Sequence, residues 1–175
     1  VTSHDDGQPF DLNRMQTYKA ANMLLLTPGT AQVYYGDETA RSLVIDSTQG
    51  DATLRSFMNW EAIETSKETQ QLLLHWRKLG SFRARHPAIG AGVHKQLTES
   101  PYVFSRVYKN NDFVDLVVIG LELPRGKKEL SVKGYFIDGT VVQDMYSNKK
   151  ATVKNHKVLL DTNYDIALLE AVDIE

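Results

Sequence analysis

His4-Asp5-Asp6, followed by Gly7 and then Asp11, places four titratable side chains within eight residues. Such a dense group of polar, titratable side chains can hydrogen-bond a ligand or exchange protons with it. The same side chains are of metal-ligand type, but their spacing matches no closed ligand pattern. Taken alone, the tetrapeptide also suits a solvated loop with an Asx turn. So dense a polar group ahead of any helix reads as one corner of a larger site. The chain is therefore expected to begin inside a longer protein whose other residues share that chemistry.

The elements that position these residues fall into two textures. Asn13 with Gln16 three residues on predicts an N-cap and its capping-box partner. They open a helix over 14–26 with Met15, Tyr18, Met23 and Leu26 on its apolar face. Thr27-Pro28-Gly29 stops it. Ala31-Gln32-Val33-Tyr34-Tyr35 predicts a short strand ended by Gly36-Asp37-Glu38, an αβ step of an α/β fold. Residues 39–63 lack clear periodicity and read as a long loop, which in a compact domain is usually functional or packed on itself. Thr65 with Glu68 predicts a cap for a second helix, along which Leu72, Trp76, Leu79 and Arg83 form a stripe widened by Leu73 and Leu74. That helix ends at Gly80 or runs on to Arg85, before His86-Pro87 breaks it.

After Gly90-Ala91-Gly92 the pattern turns to short strands. Tyr102–Tyr108 and Phe113–Leu121 flank a hairpin loop over 109–112. Asp138-Gly139 predicts a type I′ hairpin between 134–137 and 140–142. Lys154-Asn155-His156 separates another pair, and Tyr164, Ile166 and Leu168 alternate along the last strand. Seven or eight such strands predict an antiparallel sandwich or barrel.

Composition narrows the function classes. The 175 residues are 42% hydrophobic and 24% charged, an ordinary globular balance with room for a sizeable core. A net charge of −2 offers no electrostatic footprint for nucleic acid or an anionic membrane. The chain has no cysteine, which excludes disulfides and thiolate metal sites without fixing a compartment. No apolar run is long enough to span a bilayer.

Three segments in order resemble the α-amylase family of glycoside hydrolases. Ser3-His4-Asp5-Asp6 is similar to its last conserved block. Leu24-Leu25-Leu26-Thr27-Pro28-Gly29-Thr30 with Ala31-Gln32-Val33-Tyr34-Tyr35-Gly36-Asp37-Glu38 is similar to its passage through the last barrel strand. Trp76-Arg77-Lys78-Leu79 with Phe82-Arg83-Ala84-Arg85-His86-Pro87-Ala88-Ile89 resembles its final barrel helix and exit into a C-terminal β domain. The resemblance implies an α+β chain: residues 1–90 as the last helices and strand of a (β/α)8 barrel, and 91–175 as an all-β antiparallel sandwich. It implies that Asp5 is the transition-state-stabilising carboxylate and that His4 binds sugar hydroxyls. Both would lie just past a strand end, where barrel enzymes place their sites. The family's nucleophile and general acid come from earlier strands, and no segment here resembles them. The implied activity is cleavage of α-1,4-glucans, starch or maltodextrin, with retention, in an intact enzyme; this chain alone is expected to be inactive. No cofactor is expected in this chain, and calcium in the intact enzyme would use ligands outside it. The resemblance leans toward a periplasmic or secreted setting, with an α-glucan as partner and neither nucleic acid nor membrane. Ser3 departs from the Asn common at that position, and Gly7-Gln8-Pro9-Phe10-Asp11 marks a subgroup.

Plainer readings stand beside these. Asp37 and Glu38 suit a sugar site or a polar turn equally, and Tyr34, Tyr35 and Trp60 are read as packing. Trp76 is read as core, and Arg83, Arg85 and His86 as a structural cluster at a helix C-terminus. His75, His94 and His156 have no partner visible in the sequence. Alternatives to the hydrolase reading are a glucan-binding or purely structural β-sandwich module, with Tyr102, Tyr108, Tyr135 and Tyr146 as candidate sugar platforms, and an α-glucosidase of the same family. Exposed strand edges and helix faces predict an oligomer or a rearranged N-terminal segment.

Overall fold

A computed structural model describes residues 2–5 and 8–172. The chain forms two compact units, Val1–Ser81 and Phe82–Glu175, so the change of texture near Gly90 lies inside the second.

The first unit is helical and irregular. Its first helix, α1, spans Thr17–Leu25 and starts later than the spacing predicts. Arg14 stands at φ +56°, outside helical geometry. Asp11, not Asn13, satisfies the free N–H groups of this turn: its two carboxylate oxygens accept from Met15 and Gln16 at 2.8 and 2.9 Å. Residues 31–35 form no strand. A strand exists only through hydrogen bonds to a neighbour, and no described residue of this unit pairs with this run. The expected barrel strand is thus absent from the described residues of the first unit. The predicted loop over 39–63 contains a 3₁₀ turn at Gly50–Arg55 and leads into a short helix, α2, Trp60–Thr65.

Helix α3 spans Lys67–Arg85, running through Gly80 to the His86-Pro87 break. Its cap is Ser66 rather than Thr65. The Ser66 hydroxyl accepts from the Thr69 N–H at 3.2 Å and donates to Glu68 at 3.0 Å, whereas Thr65 donates to the Glu61 carbonyl behind it. Gln70 Nε2 donates to the Ile63 and Glu64 carbonyls, tying α2 to α3. Leu72, Trp76 and Leu79 of the predicted stripe are buried, with Ala20, Ala21, Leu25, Leu43 and Leu54 from the rest of the unit.

The second unit is the expected antiparallel β architecture. A short helix, α4 (Pro87–Ala91), precedes β1 (Val93–Thr98), β2 (Tyr102–Asn110), β3 (Phe113–Leu121), β4 (Gly126–Ser131), β5 (Val141–Asp144), β6 (Lys149–Thr152), β7 (Lys157–Thr162) and β8 (Ala167–Ala171). Six strands form one sheet in the order β1-β2-β3-β8-β5-β6, and β4-β7 form a second. Both sheets feed one core: Val103, Val118, Val142 and Leu169 from the larger, Leu130 and Val158 from the smaller. Gly120 permits this approach, because a Cβ there would meet Leu130 Cδ2 at 2.7 Å.

Two turns differ from their predicted use. Residues 134–137 form no strand, since the Tyr135 and Phe136 N–H groups return to the Val132 carbonyl. The Asp138 carboxylate accepts from Asn155 and His156 at 2.9 and 2.7 Å, so Asp138-Gly139 is a junction stapled to the 154–156 turn rather than a hairpin tip. The 154–156 turn passes the chain from one sheet to the other. Tyr164 and Ile166 precede β8 instead of lying in it. No helix among the described residues is long and apolar enough to cross a membrane.

Candidate functional site

His4 and Asp5 lie on a turn of the first unit, largely open to solvent. His4 Nε2 is 2.8 Å from Asp5 Oδ2, with the two side chains 61% and 66% exposed. Arg55, at the end of the 3₁₀ turn, reaches across fifty residues of sequence to complete the group. Its Nη2 lies 3.2 Å from Asp5 Oδ1, 2.9 Å from Asp51 Oδ2 and 3.4 Å from the His4 carbonyl. One guanidinium nitrogen thus faces three oxygens from two segments. Coulombic attraction at such exposed pairs is worth little in water, so they add little to stability. The result is an open face with a carboxylate acceptor, an imidazole and a guanidinium side by side, a set suited to sugar hydroxyls.

Arg55 and Asp51 escaped the sequence reading. The available signal was an acid four residues before an arginine, which a helical turn brings together. Asp6 lies outside the described residues. Asp11, a fourth candidate metal ligand, spends both carboxylate oxygens on backbone N–H groups. Among the described residues no group of three His, Asp or Glu side chains is placed to hold a metal ion.

The other candidates resolve by burial. Asp37 is buried, and Arg14 Nη1 lies 2.9 Å from its Oδ1. Arg14 Nε also donates to the Arg41 carbonyl at 2.7 Å, pinning the segment after Asp5 to the turn after Tyr35. Asp37 is therefore placed as a structural anion rather than in a sugar-lined surface. Tyr34 and Tyr35 are not simple packing: their hydroxyls donate to the Leu54 and Ser56 carbonyls at 3.0 and 2.9 Å. Burial first, then the neighbouring Tyr35, holds the Tyr34 hydroxyl above its usual 10.0. Trp60 is exposed rather than packed, at 70%.

In the second unit the histidines find partners that sequence spacing could not reveal. His86 Nδ1 lies 2.8 Å from Asp115 Oδ1 and its Nε2 2.6 Å from Glu170 Oε2. Arg85 reaches Glu170 at 3.3 Å, and the Ala88 N–H donates to Asp115 at 2.8 Å. The basic cluster is structural, as its position predicts. His94 Nε2 is 3.0 Å from the Tyr102 hydroxyl. Burial, then the charge of Arg106, pushes the His94 imidazole below its usual 6.5. Tyr146 is buried against the edge of Tyr164 and offers no sugar platform.

No family model matches the chain. It is 46% identical over 80 residues to a periplasmic alpha-amylase of Escherichia coli, a stretch covering 46% of this chain and 11% of that protein. An Anoxybacillus alpha-amylase superposes with a TM-score of 0.62 at 22% identity, over 93% of this chain and 33% of its own. CldA, a cyclomaltodextrin glucanotransferase, superposes with a TM-score of 0.66 at 19% identity, over 99% and 36%. Solved chains of the same fold include complexes with maltose, maltotriose and acarbose. The chain thus spans about a third of the length of the solved structures it matches.

Proposed function

We propose that this chain, which has the sequence and fold of the C-terminal part of an α-amylase-family protein, works within a glycoside hydrolase that cleaves α-1,4-glucans with retention. In this reading Asp5 is the carboxylate that favours the oxocarbenium-like transition state, and His4 donates hydrogen bonds to the sugar hydroxyls beside it. A periplasmic or secreted setting belongs to the same reading.

The observation that carries it is the open His4–Asp5–Arg55 face in a chain 46% identical over 80 residues to a periplasmic alpha-amylase. The chemistry fits the role. A developing positive charge at the sugar carbon is favoured by a fixed anion, and Arg55 holds that anion in one orientation before substrate arrives. Retention also needs a nucleophile and a proton donor about 5–5.5 Å apart across the bond. Asp5 and Asp51 are not read as that pair, because both accept from the same nitrogen of Arg55 and so are gathered on one cation. Asp37 is buried against Arg14. The chain by itself is therefore read as inactive.

The test has two parts. The purified 175-residue chain is expected to release no reducing sugar from starch; measurable release would refute its inactivity. A longer protein containing this chain is expected to release the α-anomer first, followed by NMR during hydrolysis. Asp5→Asn in that protein should lower kcat by about 10³-fold. Early β-anomer, or an unchanged Asp5→Asn variant, would sink the assignment.

A further inference from the structure

Among the described residues Arg41 is the largest fully buried side chain, 1% exposed, and no carboxylate partners it. A buried charge without an ion-pair partner is costly and persists where its donors are spent on geometry. Arg41 Nε donates to the Tyr35 carbonyl at 3.0 Å, Nη2 to the Leu54 carbonyl at 3.0 Å, and Nη1 to the Ser56 carbonyl at 3.2 Å and to the Ser56 hydroxyl. Its Cζ sits 3.9 Å from the Tyr35 ring centroid, so the ring face carries part of the charge.

Leu54 and Ser56 are the residues immediately before and after Arg55. The same two carbonyls also accept the Tyr34 and Tyr35 hydroxyls, at 3.0 and 2.9 Å. Each flank of Arg55 is thus held by one arm of a planar fork and one phenol. Gly36 makes room for the fork, since a Cβ there would stand 2.5 Å from Arg41 Cβ. Thr39 and Asn59 close the outer end: Asn59 Nδ2 donates to the Thr39 carbonyl at 2.9 Å, and the Thr39 hydroxyl to Asn59 Oδ1 at 2.7 Å. The clamp holds the backbone on both sides of Arg55, whose guanidinium ends on Asp5, Asp51 and the His4 carbonyl.

We propose that Arg41, with Tyr34 and Tyr35, is a positioning residue that acts through Arg55 to fix the orientation of Asp5. The proposal rests on the reading of Asp5 above. Arg41 touches no substrate; it sets the aim of a residue that orients one which does. Lysine cannot replace it, because a single ammonium cannot span the Leu54 and Ser56 carbonyls as a planar fork does.

Two arms test it. On the chain as it stands, mass spectrometry follows trypsin cleavage at the Arg55–Ser56 bond. Cleavage there is expected to rise about fivefold or more in Arg41→Lys and in the milder Tyr35→Phe, without a matching rise at Arg77 or Lys78. An unchanged rate in both variants overturns the clamp. In a longer protein with α-glucan hydrolase activity, Arg41→Lys should lower kcat about 10²-fold with KM little changed. In an Arg55→Ala background the same substitution should cost less than about twofold further, because it acts through the residue already removed. Independent, multiplying losses overturn the positioning role and leave the hydrolase reading standing. A longer protein whose unsubstituted form hydrolyses no α-glucan overturns both, while the trypsin arm still decides whether the clamp exists.

Discussion

Residues 2–81 and 82–172 solve the problem of burial differently. The second unit closes on itself. Its apolar core is shared by two sheets, and two of its most buried charged groups are paired: Asp144 accepts from the N–H groups of Tyr146 and Leu168 and from the Ser147 hydroxyl, and Lys128 donates to the Thr162 carbonyl and hydroxyl. Both units leave large apolar side chains in water, Phe57 at 99% and Met15 at 84% in the first, Ile137 at 77% and Val93 at 76% in the second. The first also buries Asn22 Oδ1, Asp37 Oδ2, Glu38 Oε2 and Trp76 Nε1 without a hydrogen-bond partner among the described residues. Orphaned buried polar atoms cost free energy. The unit that carries the candidate site is thus the less well satisfied of the two.

The strongest test of this contrast is hydrogen exchange across the whole chain. Amides of Val117, Val118, Ile119 and Leu168, central in the larger sheet, should exchange only through global unfolding of the second unit. Amides over 31–49, which belong to no strand or α-helix, should exchange orders of magnitude faster. Equal protection in the two regions would erase the distinction.

Matched substitutions sharpen it. Leu169 and Leu72 are both buried leucines, one in each unit. Leu169→Ala should cost about 3 kcal/mol by urea denaturation, the usual loss in a packed core. Leu72→Ala should cost less, about 2 kcal/mol, the lower end for a buried leucine, if the less well satisfied unit closes partly over the space. Similar losses would show that the first unit is as tightly packed as the second.

The contrast also explains what the sequence made legible. Local signals carried the second unit well: the apolar runs over 102–108 and 113–121 and the hairpin loop between them need only neighbours a few residues away. They misplaced what depends on distant partners. Ala31–Tyr35 has the composition of a strand, but a strand needs a second chain segment beside it. Asn13 and Thr65 look like caps, yet Asp11 and Ser66 reach the open N–H groups because of how the chain enters each helix. His4 and Asp5 were visible as a motif. Arg55 and Arg41 were not, since their roles come from contacts 50 and 13 residues away. The pairing of His86 with Asp115 and Glu170, 29 and 84 residues on, was hidden for the same reason.

The smallest expected effect lies at the rim of the second unit and is read through pH. Burial first, and the Arg106 charge second, holds the folded-state pKa of His94 below 6.5. Just below 6.5 the unfolded chain therefore binds a proton that the folded chain does not. Stability must rise with pH through that window and fall on acidification through it. Below the folded-state value both states are protonated, and the dependence on His94 stops. Since His94 is largely exposed, solvent screening keeps the change small. The urea midpoint of the second unit, followed from pH 6.5 downward, should fall slightly in the unsubstituted chain. His94→Gln keeps a hydrogen-bonding group near the Tyr102 hydroxyl but cannot titrate, so this part of the slope should vanish. If the slope survives that substitution, the acid sensitivity belongs elsewhere in the unit.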